Sequence, residues 1–209
     1  YITPSLYQLF EPIYGNTDLK PEENTTLEFG VELGIANKAT ISLVYFNRRE
    51  INFIDFVDLG GFVFEYNNID EEFTASGIEL DSKYKITNKI NFRANATYTN
   101  VEEKLNLRIP EIKINASLDY RFCPKTNMSV TYQFNDERED SFFNSVTFMP
   151  ENVILDRYSL LNFYMSRKIA NDKMTIFTNV TNIFNEDYQE LFGYTTKGRN
   201  INVGFNLSF

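Results

Sequence analysis

The feature that most limits this chain is an error-free two-residue period over residues 200–209. Ile201, Val203, Phe205, Leu207 and Phe209 fall on one side of an extended chain, and Asn202, Gly204, Asn206 and Ser208 fall on the other. Such alternation is the signature of a strand with two unlike faces. Five alternate apolar side chains on the edge of a soluble sheet would invite aggregation. Set against lipid the same face carries no penalty, provided the polar side lines a wet interior.

The pattern repeats upstream. Residues 1–9 read as the end of a strand running into a loop with turn chemistry at Glu11-Pro12, Gly15-Asn16 and Lys20-Pro21. From Thr26, the residues Leu27, Phe29, Val31, Leu33 and Ile35 alternate with Glu28, Gly30, Glu32 and Gly34. A strand from Ala39 is expected to continue through 51–57 to a hairpin tip at Gly60-Gly61, with 62–66 leading back. Further strands are expected near 74–86, 90–99, 112–122, 128–135, 157–169, 173–184 and 200–209, about nine in all with the tail of one more. Short turns at 36–38, 87–89, 123–127 and 170–172 alternate with long connections, among them an acidic loop over 136–156 and a last loop over 186–199.

That alternation of short and long connections predicts an all-β, antiparallel, up-and-down transmembrane β-barrel portion, with short periplasmic turns and long extracellular loops. Glu28, Glu32, Glu79, Asp81, Arg93, Lys113, Asp119 and Arg121 sit on the polar face, too many charges for a dry core. Alternation alone does not say which face is inside, so a soluble all-β binding domain stays open at this point.

Composition removes several functions. A net charge of -9 argues against binding a phosphate backbone, so no nucleic-acid partner is expected. Histidine is absent, which removes Ser-His-Asp and Cys-His catalysis and histidine-based zinc sites; neither an enzyme nor a resident cofactor or metal is expected. Cys123 is the single cysteine and has no internal disulfide partner. No run approaches the roughly 18 apolar residues that a spanning helix needs. The Asn-x-Ser/Thr triplets that begin at Asn24, Asn95, Asn115, Asn127, Asn179 and Asn206 follow from polar residues at spacing two, without any need for glycosylation. The acidic group Asp136, Glu137, Glu139 and Asp140 reads as a solvated loop, with calcium binding as the alternative. Phe62, Phe64, Tyr66, Phe142, Phe143, Tyr188, Phe192 and Tyr194 lie on or near long loops. They either contact a large ligand as amphipathic platforms or pack the loops on one another.

Two groups of motifs resemble a known family. Pro4-Ser5-Leu6-Tyr7-Gln8-Leu9, Gly15-Asn16, Asp18-Leu19-Lys20-Pro21-Glu22 and Glu28-Phe29-Gly30 form the first. Val180-Thr181-Asn182-Ile183-Phe184-Asn185, Tyr188, Gly193-Tyr194 and Gly198-Arg199 form the second. In this order they resemble the C-terminal barrel of TonB-dependent outer-membrane receptors, and loops of modest length resemble the cobalamin and iron-siderophore branch. Asn202, Gly204, Leu207 and Phe209 resemble the C-terminal signal read by the barrel-assembly machinery, with Leu207 where an aromatic is commoner.

The resemblance implies that residues 1–209 are the C-terminal part of one barrel of about 22 strands. The plug domain and earlier strands would then be missing from the sequence, which begins at Tyr1 without Met or leader. It also implies a place in the outer membrane of a Gram-negative bacterium. Lipid, a small-molecule ligand and TonB, reached through the missing plug, are the implied partners. A complete small outer-membrane barrel, a porin or adhesin, is the alternative. The fragment reading makes one geometric demand: the strand at 27–34 and the strand at 201–209 should not pair with each other.

Overall fold

The computed structural model describes residues 1–61, 63–102 and 107–208. Phe62 and Phe209 lie outside that set. Strands dominate, in the order β1 (Glu23–Ile35), β2 (Ala39–Ile51), β3 (Ile54–Gly60), β4 (Val63–Asn68), β5 (Phe73–Lys85), β6 (Ile90–Val101), β7 (Ile112–Cys123), β8 (Thr126–Asn135), β9 (Arg138–Asn144), β10 (Met149–Leu155), β11 (Tyr158–Ile169), β12 (Met174–Thr181) and β13 (Asn200–Leu207). Nine of them form one sheet in the order β1-β2-β5-β6-β7-β8-β11-β12-β13. The β3–β4 and β9–β10 hairpins form two-stranded sheets of their own. The expected count of about nine wall strands therefore holds, as does the alternation of short turns with long connections.

The register keeps the two faces distinct. Ala94 pairs with Ala116 and Ala116 with Tyr132, while Asn95 pairs with Asn115 and Asn115 with Gln133. On the polar face Asn115 Nδ2 donates to Asn95 Oδ1 at 3.0 Å, and Arg93 meets the diagonal Asp119 at 2.6 Å. The apolar face is open: Phe29 is 70% and Val203 78% exposed. The buried hydrophobic residues among those described are Leu19, Ile54, Phe73, Leu155, Tyr158 and Leu160, all in or beside the long connections. A soluble barrel would bury its aliphatic stripe and expose its charges. This chain leaves the aliphatic stripe exposed on one face and the charges exposed on the other, which speaks against the soluble reading. β1 and β13 are the two edges of the sheet, with no ladder between them among the described residues, as expected. A complete small barrel would need that ladder.

Three local expectations are corrected. Within residues 1–9, Leu6–Phe10 form a short helix (α1) rather than the end of a strand. Ser5 Oγ accepts from the Gln8 N–H at 3.2 Å and Gln8 Oε1 accepts from the Ser5 N–H at 2.8 Å, a capping box that starts the helix. β2 does not run on through 51–57: Asn52 takes a φ of 58°, and β3 then pairs with β4 alone. The acidic stretch 136–156 is not an open loop but carries the β9–β10 hairpin, in register from Arg138–Leu155 to Asn144–Met149. The chain divides into two compact units, the first built mainly from Tyr1–Phe29 and Phe46–Ser76, the second from Gly30–Tyr45, Gly77–Thr99 and the chain beyond residue 106.

Candidate functional site: two aromatic loop clusters

In the first unit, residues 11–22 are bound to the β3–β4 hairpin by side-chain amides. Asn16 Nδ2 donates to the Tyr66 carbonyl at 3.0 Å and to Asn67 Oδ1 at 2.9 Å. Asn68 Nδ2 donates to the Lys20 carbonyl at 3.0 Å and the Asn52 carbonyl at 2.7 Å, and its oxygen accepts from the Lys20 N–H at 2.7 Å. A Glu22 carboxylate oxygen accepts from the Ile54 N–H at 2.9 Å. Gly15 makes the tight return: a Cβ there would stand 2.5 Å from the Glu11 carbonyl oxygen. The Gly15-Asn16 and Leu19-Lys20-Pro21-Glu22 motif thus acts through backbone approach, amide pairing and the burial of Leu19. Over this frame Phe56 gathers Phe64 at 5.5 Å, Tyr66 at 5.0 Å and Tyr14 at 5.3 Å, and Tyr7 meets Tyr66 at 6.2 Å.

The second unit uses charge. Asp140, on β9, is fully buried. One of its oxygens accepts from Arg108 Nε at 2.6 Å and the Ser141 N–H at 2.8 Å; the other accepts from the Phe192 N–H at 2.8 Å. Burial works to raise the pKa of this carboxyl. The Phe192 N–H, the Arg108 guanidinium and the Ser141 N–H outweigh it and hold the value below the ordinary range. Expecting a solvated carboxylate at position 140 was therefore wrong: the side chain is a buried strut joining β9 to the last loop. No group of three or more potential metal ligands stands together among the described residues.

Arg138, two residues earlier, is also buried. Its Nη2 donates to the Gln189 carbonyl at 2.7 Å, its guanidinium lies 5.4 Å from the Tyr158 ring centre, and its Nη1 has no hydrogen-bond partner. The Tyr158 hydroxyl donates to Glu190 at 3.2 Å and accepts from the Asn135 amide.

The predicted aromatic residues separate into two kinds. Phe64 and Tyr66 join the first cluster. Phe142 packs on Phe192 at 4.4 Å, and Tyr188 on Tyr158 at 4.3 Å, tying the β9–β10 hairpin and β11 to the last loop. Phe143 is 65% exposed, with Phe148 beside it at 6.5 Å, and Tyr194 is 66% exposed. Tyr158, Arg138 and Arg108 were missed from the sequence, since a single charged or aromatic residue in a long connection carries no periodic signal. The motif beginning at Asn182 closes the last loop. Asn182 exchanges two 2.8 Å bonds with Glu186, and Asn185 Oδ1 accepts from the Arg199 N–H at 2.9 Å.

Of the terminal-strand residues, Asn202 and Gly204 lie on the polar face opposite Asn179 and Phe177, while Leu207 is exposed on the apolar side. The Phe177 ring occupies the space where a Gly204 Cβ would stand, 2.5 Å from its nearest atom.

A family model described as "TonB dependent receptor-like, beta-barrel" matches residues 1–183. The vitamin B12 transporter BtuB of Vibrio cholerae serotype O1 is 25% identical over 98% of this chain and 33% of its own length. The chain thus spans about a third of that curated relative. Among solved structures, the pyoverdine outer membrane receptor FpvA from Pseudomonas aeruginosa PAO1, bound to pyoverdine, superimposes with a TM-score of 0.76 at 18% identity, over 91% of this chain and 30% of that one. The siderophore receptor PirA from Acinetobacter baumannii gives 0.73 at 18%, over 93% and 33%. The copper transporter OprC gives 0.75 at 18%, over 100% and 36%. At these identities the three structures bear on the fold alone.

Proposed function

The chain belongs to the TonB-dependent receptor β-barrel family, and on that footing we propose that it forms part of the wall of an outer-membrane transporter that actively takes up a scarce small molecule. Its place is the outer membrane of a Gram-negative bacterium. The observation that carries the reading is where the hydrophobic residues sit. The sheet leaves its aliphatic stripe open and keeps ions and amides on the other face, and the buried hydrophobic residues lie in or beside the loops. A wall between lipid and water needs that arrangement; a catalytic domain does not.

In this reading residues 1–209 are the C-terminal part of the barrel. TonB acts through a plug domain encoded elsewhere in the full-length protein. The ligand is an iron-siderophore or a cobalamin, a choice supported by the names of the relatives. Phe62, Phe64, Tyr66, Phe142, Phe143, Tyr188, Phe192 and Tyr194 make up its aromatic site, some by contact and some by support. The exposed Phe143 and Tyr194 touch it directly, and the paired rings hold the loops in shape. Asn202, Gly204, Leu207 and Phe209 address the strand to the assembly machinery. No catalytic role is proposed.

The test is whole-cell uptake of labelled cyanocobalamin and of ferric siderophores by a strain whose only such receptor is the full-length protein, with and without TonB. TonB-dependent accumulation of one of them is expected. Accumulation that persists without TonB would point to a passive pore, and accumulation of neither would overturn the ligand class.

A further inference from the structure

The apolar face of the second unit is uncharged with one exception. The register carries that face from Phe92 and Ala94 on β6, across β7, β8, β11 and β12, to Val203 and Phe205 on β13. Among the described residues of these strands, Arg167 on β11 is the single charged side chain on it. Arg167 is exposed, and the salt bridges of the described residues do not include it. Its row across the sheet reads Thr126, Arg167, Ile176, Phe205. The next row away from the turns reads Tyr120, Met128, Met165, Thr178, Val203. Thr126 is 1% exposed, and its hydroxyl has no hydrogen-bond partner. Phe122, 56% exposed, stands edge-on to Tyr120 at 6.0 Å. The turns 36–38, 86–89, 124–125 and 170–173 each end in a lysine, and Asp172 is their one acid, held by Lys125 at 3.2 Å. This edge of the sheet is therefore positive, although the chain carries a net charge of -9.

We propose that Arg167 anchors the headgroup phosphate of an anionic phospholipid at the short-turn edge of the wall. A charge on a lipid-facing strand is costly at the middle of the bilayer and nearly free at its edge. Arg167 stands two residues, about 7 Å, from the end of β11. Its long stem can follow the strand toward the turns while the guanidinium reaches the headgroup level. A guanidinium offers a phosphate two parallel N–H donors. The Thr126 hydroxyl across the ladder is a further donor with no other partner. The occupant is a lipid because the site continues the apolar stripe: acyl chains below the headgroup lie along Met128, Met165, Ile176 and Phe205, contacts a free phosphate does not make. It is an anionic lipid because Lys125 and Lys173 repel the cation of an ethanolamine headgroup and attract a net negative one. The proposal rests on the transporter-wall reading, which puts this face against lipid and the short turns on the periplasmic side, so the lipid belongs to the inner leaflet.

Native mass spectrometry of the full-length receptor in detergent micelles tests it. The probes are dioleoyl phosphatidylglycerol and dioleoyl phosphatidylethanolamine, supplied in equal amounts, so that only the headgroup differs. Phosphatidylglycerol is expected to be retained about fivefold over phosphatidylethanolamine, and Arg167→Gln should bring the two to near parity, the loss of one cation at the surface. Arg167→Lys keeps the charge but not the paired donors and should fall between them. It also covers a glutamine variant that fails to fold; heat-modifiability on a gel reports folding. Thr126→Val keeps the shape, removes the hydroxyl and should lower the preference by about twofold. Lys113→Gln, on the polar face at the other end of β7, should leave it unchanged. Equal retention of the two lipids by the unaltered receptor would overturn the proposal and leave the positive edge to an acidic soluble partner. An undiminished preference in folded Arg167→Gln would also overturn it. So would displacement of phosphatidylglycerol by excess inorganic phosphate, which would make the site one for the free anion. A lipid preference that depends on Arg167, in a receptor without TonB-dependent uptake, would count against the transport reading alone.

Discussion

The two loop clusters solve one problem with opposite chemistry. Each must hold a long, irregular connection against a β-hairpin with little hydrophobic core. The first does so with neutral amides: the Asn16 and Asn68 side chains between them make six hydrogen bonds, five to backbone groups and one to the Asn67 side chain. The second uses a buried carboxylate, Asp140, fed by one guanidinium and two backbone N–H groups. A neutral bond is worth about 1 kcal/mol net, and a bond to a charged group about 1.5–3. The ionic strut therefore concentrates in one side chain what the amide staple spreads over several. It should be stronger and more easily disabled by one change.

Removing the strut is the sharpest way to break the comparison. Asp140→Ala strands the Phe192 and Ser141 N–H groups, and local opening of the last loop should become easier by about 3 kcal/mol. Amide exchange at Phe192 in the full-length receptor reads this directly, with the Lys20 amide of the other cluster unchanged. Gly15→Ala comes next, at about 2 kcal/mol, because the new Cβ meets backbone rather than a movable side chain. Asn68→Ala should cost about 1–2 kcal/mol at the Lys20 amide, the loss of neutral bonds only.

Acid should separate the clusters more gently. The Asp140 carboxyl titrates below its ordinary value of 3.8, so its stabilisation is complete above that value and is lost as pH falls through the depressed one. Phe192 protection should fall in strong acid relative to Lys20 and stay level near neutrality. Glu22→Gln retains an oxygen to accept from the Ile54 N–H and should change stability by less than about 0.5 kcal/mol. A large loss there would mean that charge also holds the first cluster.

The same contrast explains what the sequence made legible. The wall strands could be read because lipid on one side and water on the other impose a strict apolar–polar period, as at Ile90–Val101 and Asn200–Leu207. β9 could not, because Arg138 and Asp140 are buried ions whose partners, Gln189 for the one and Arg108 and Phe192 for the other, come to them only on folding. A hydropathy pattern reads such a strand as an exposed loop. The helix at Leu6–Phe10 was readable in principle, since Ser5 and Gln8 are a capping pair; the neighbouring alternation masked it. Of the aromatic candidates, the sequence placed the rings on the loops but not which ones pair. The partners Phe142 and Phe192, or Tyr158 and Tyr188, lie tens of residues apart.

Strand length carries a last consequence. β1, β2 and β5 have 13 residues, whereas β12 and β13 have 8. At about 3.3 Å per residue these are strands of roughly 43 and 26 Å. Tilted by about 45°, the longer ones match a hydrocarbon layer of about 30 Å, and the shorter ones span only about 19 Å. A bilayer of uniform thickness meets a mismatch along β12 and β13. It must thin there, or those strands must stand more upright. On this arithmetic lipids with shorter tails should match the β12–β13 flank better than long ones.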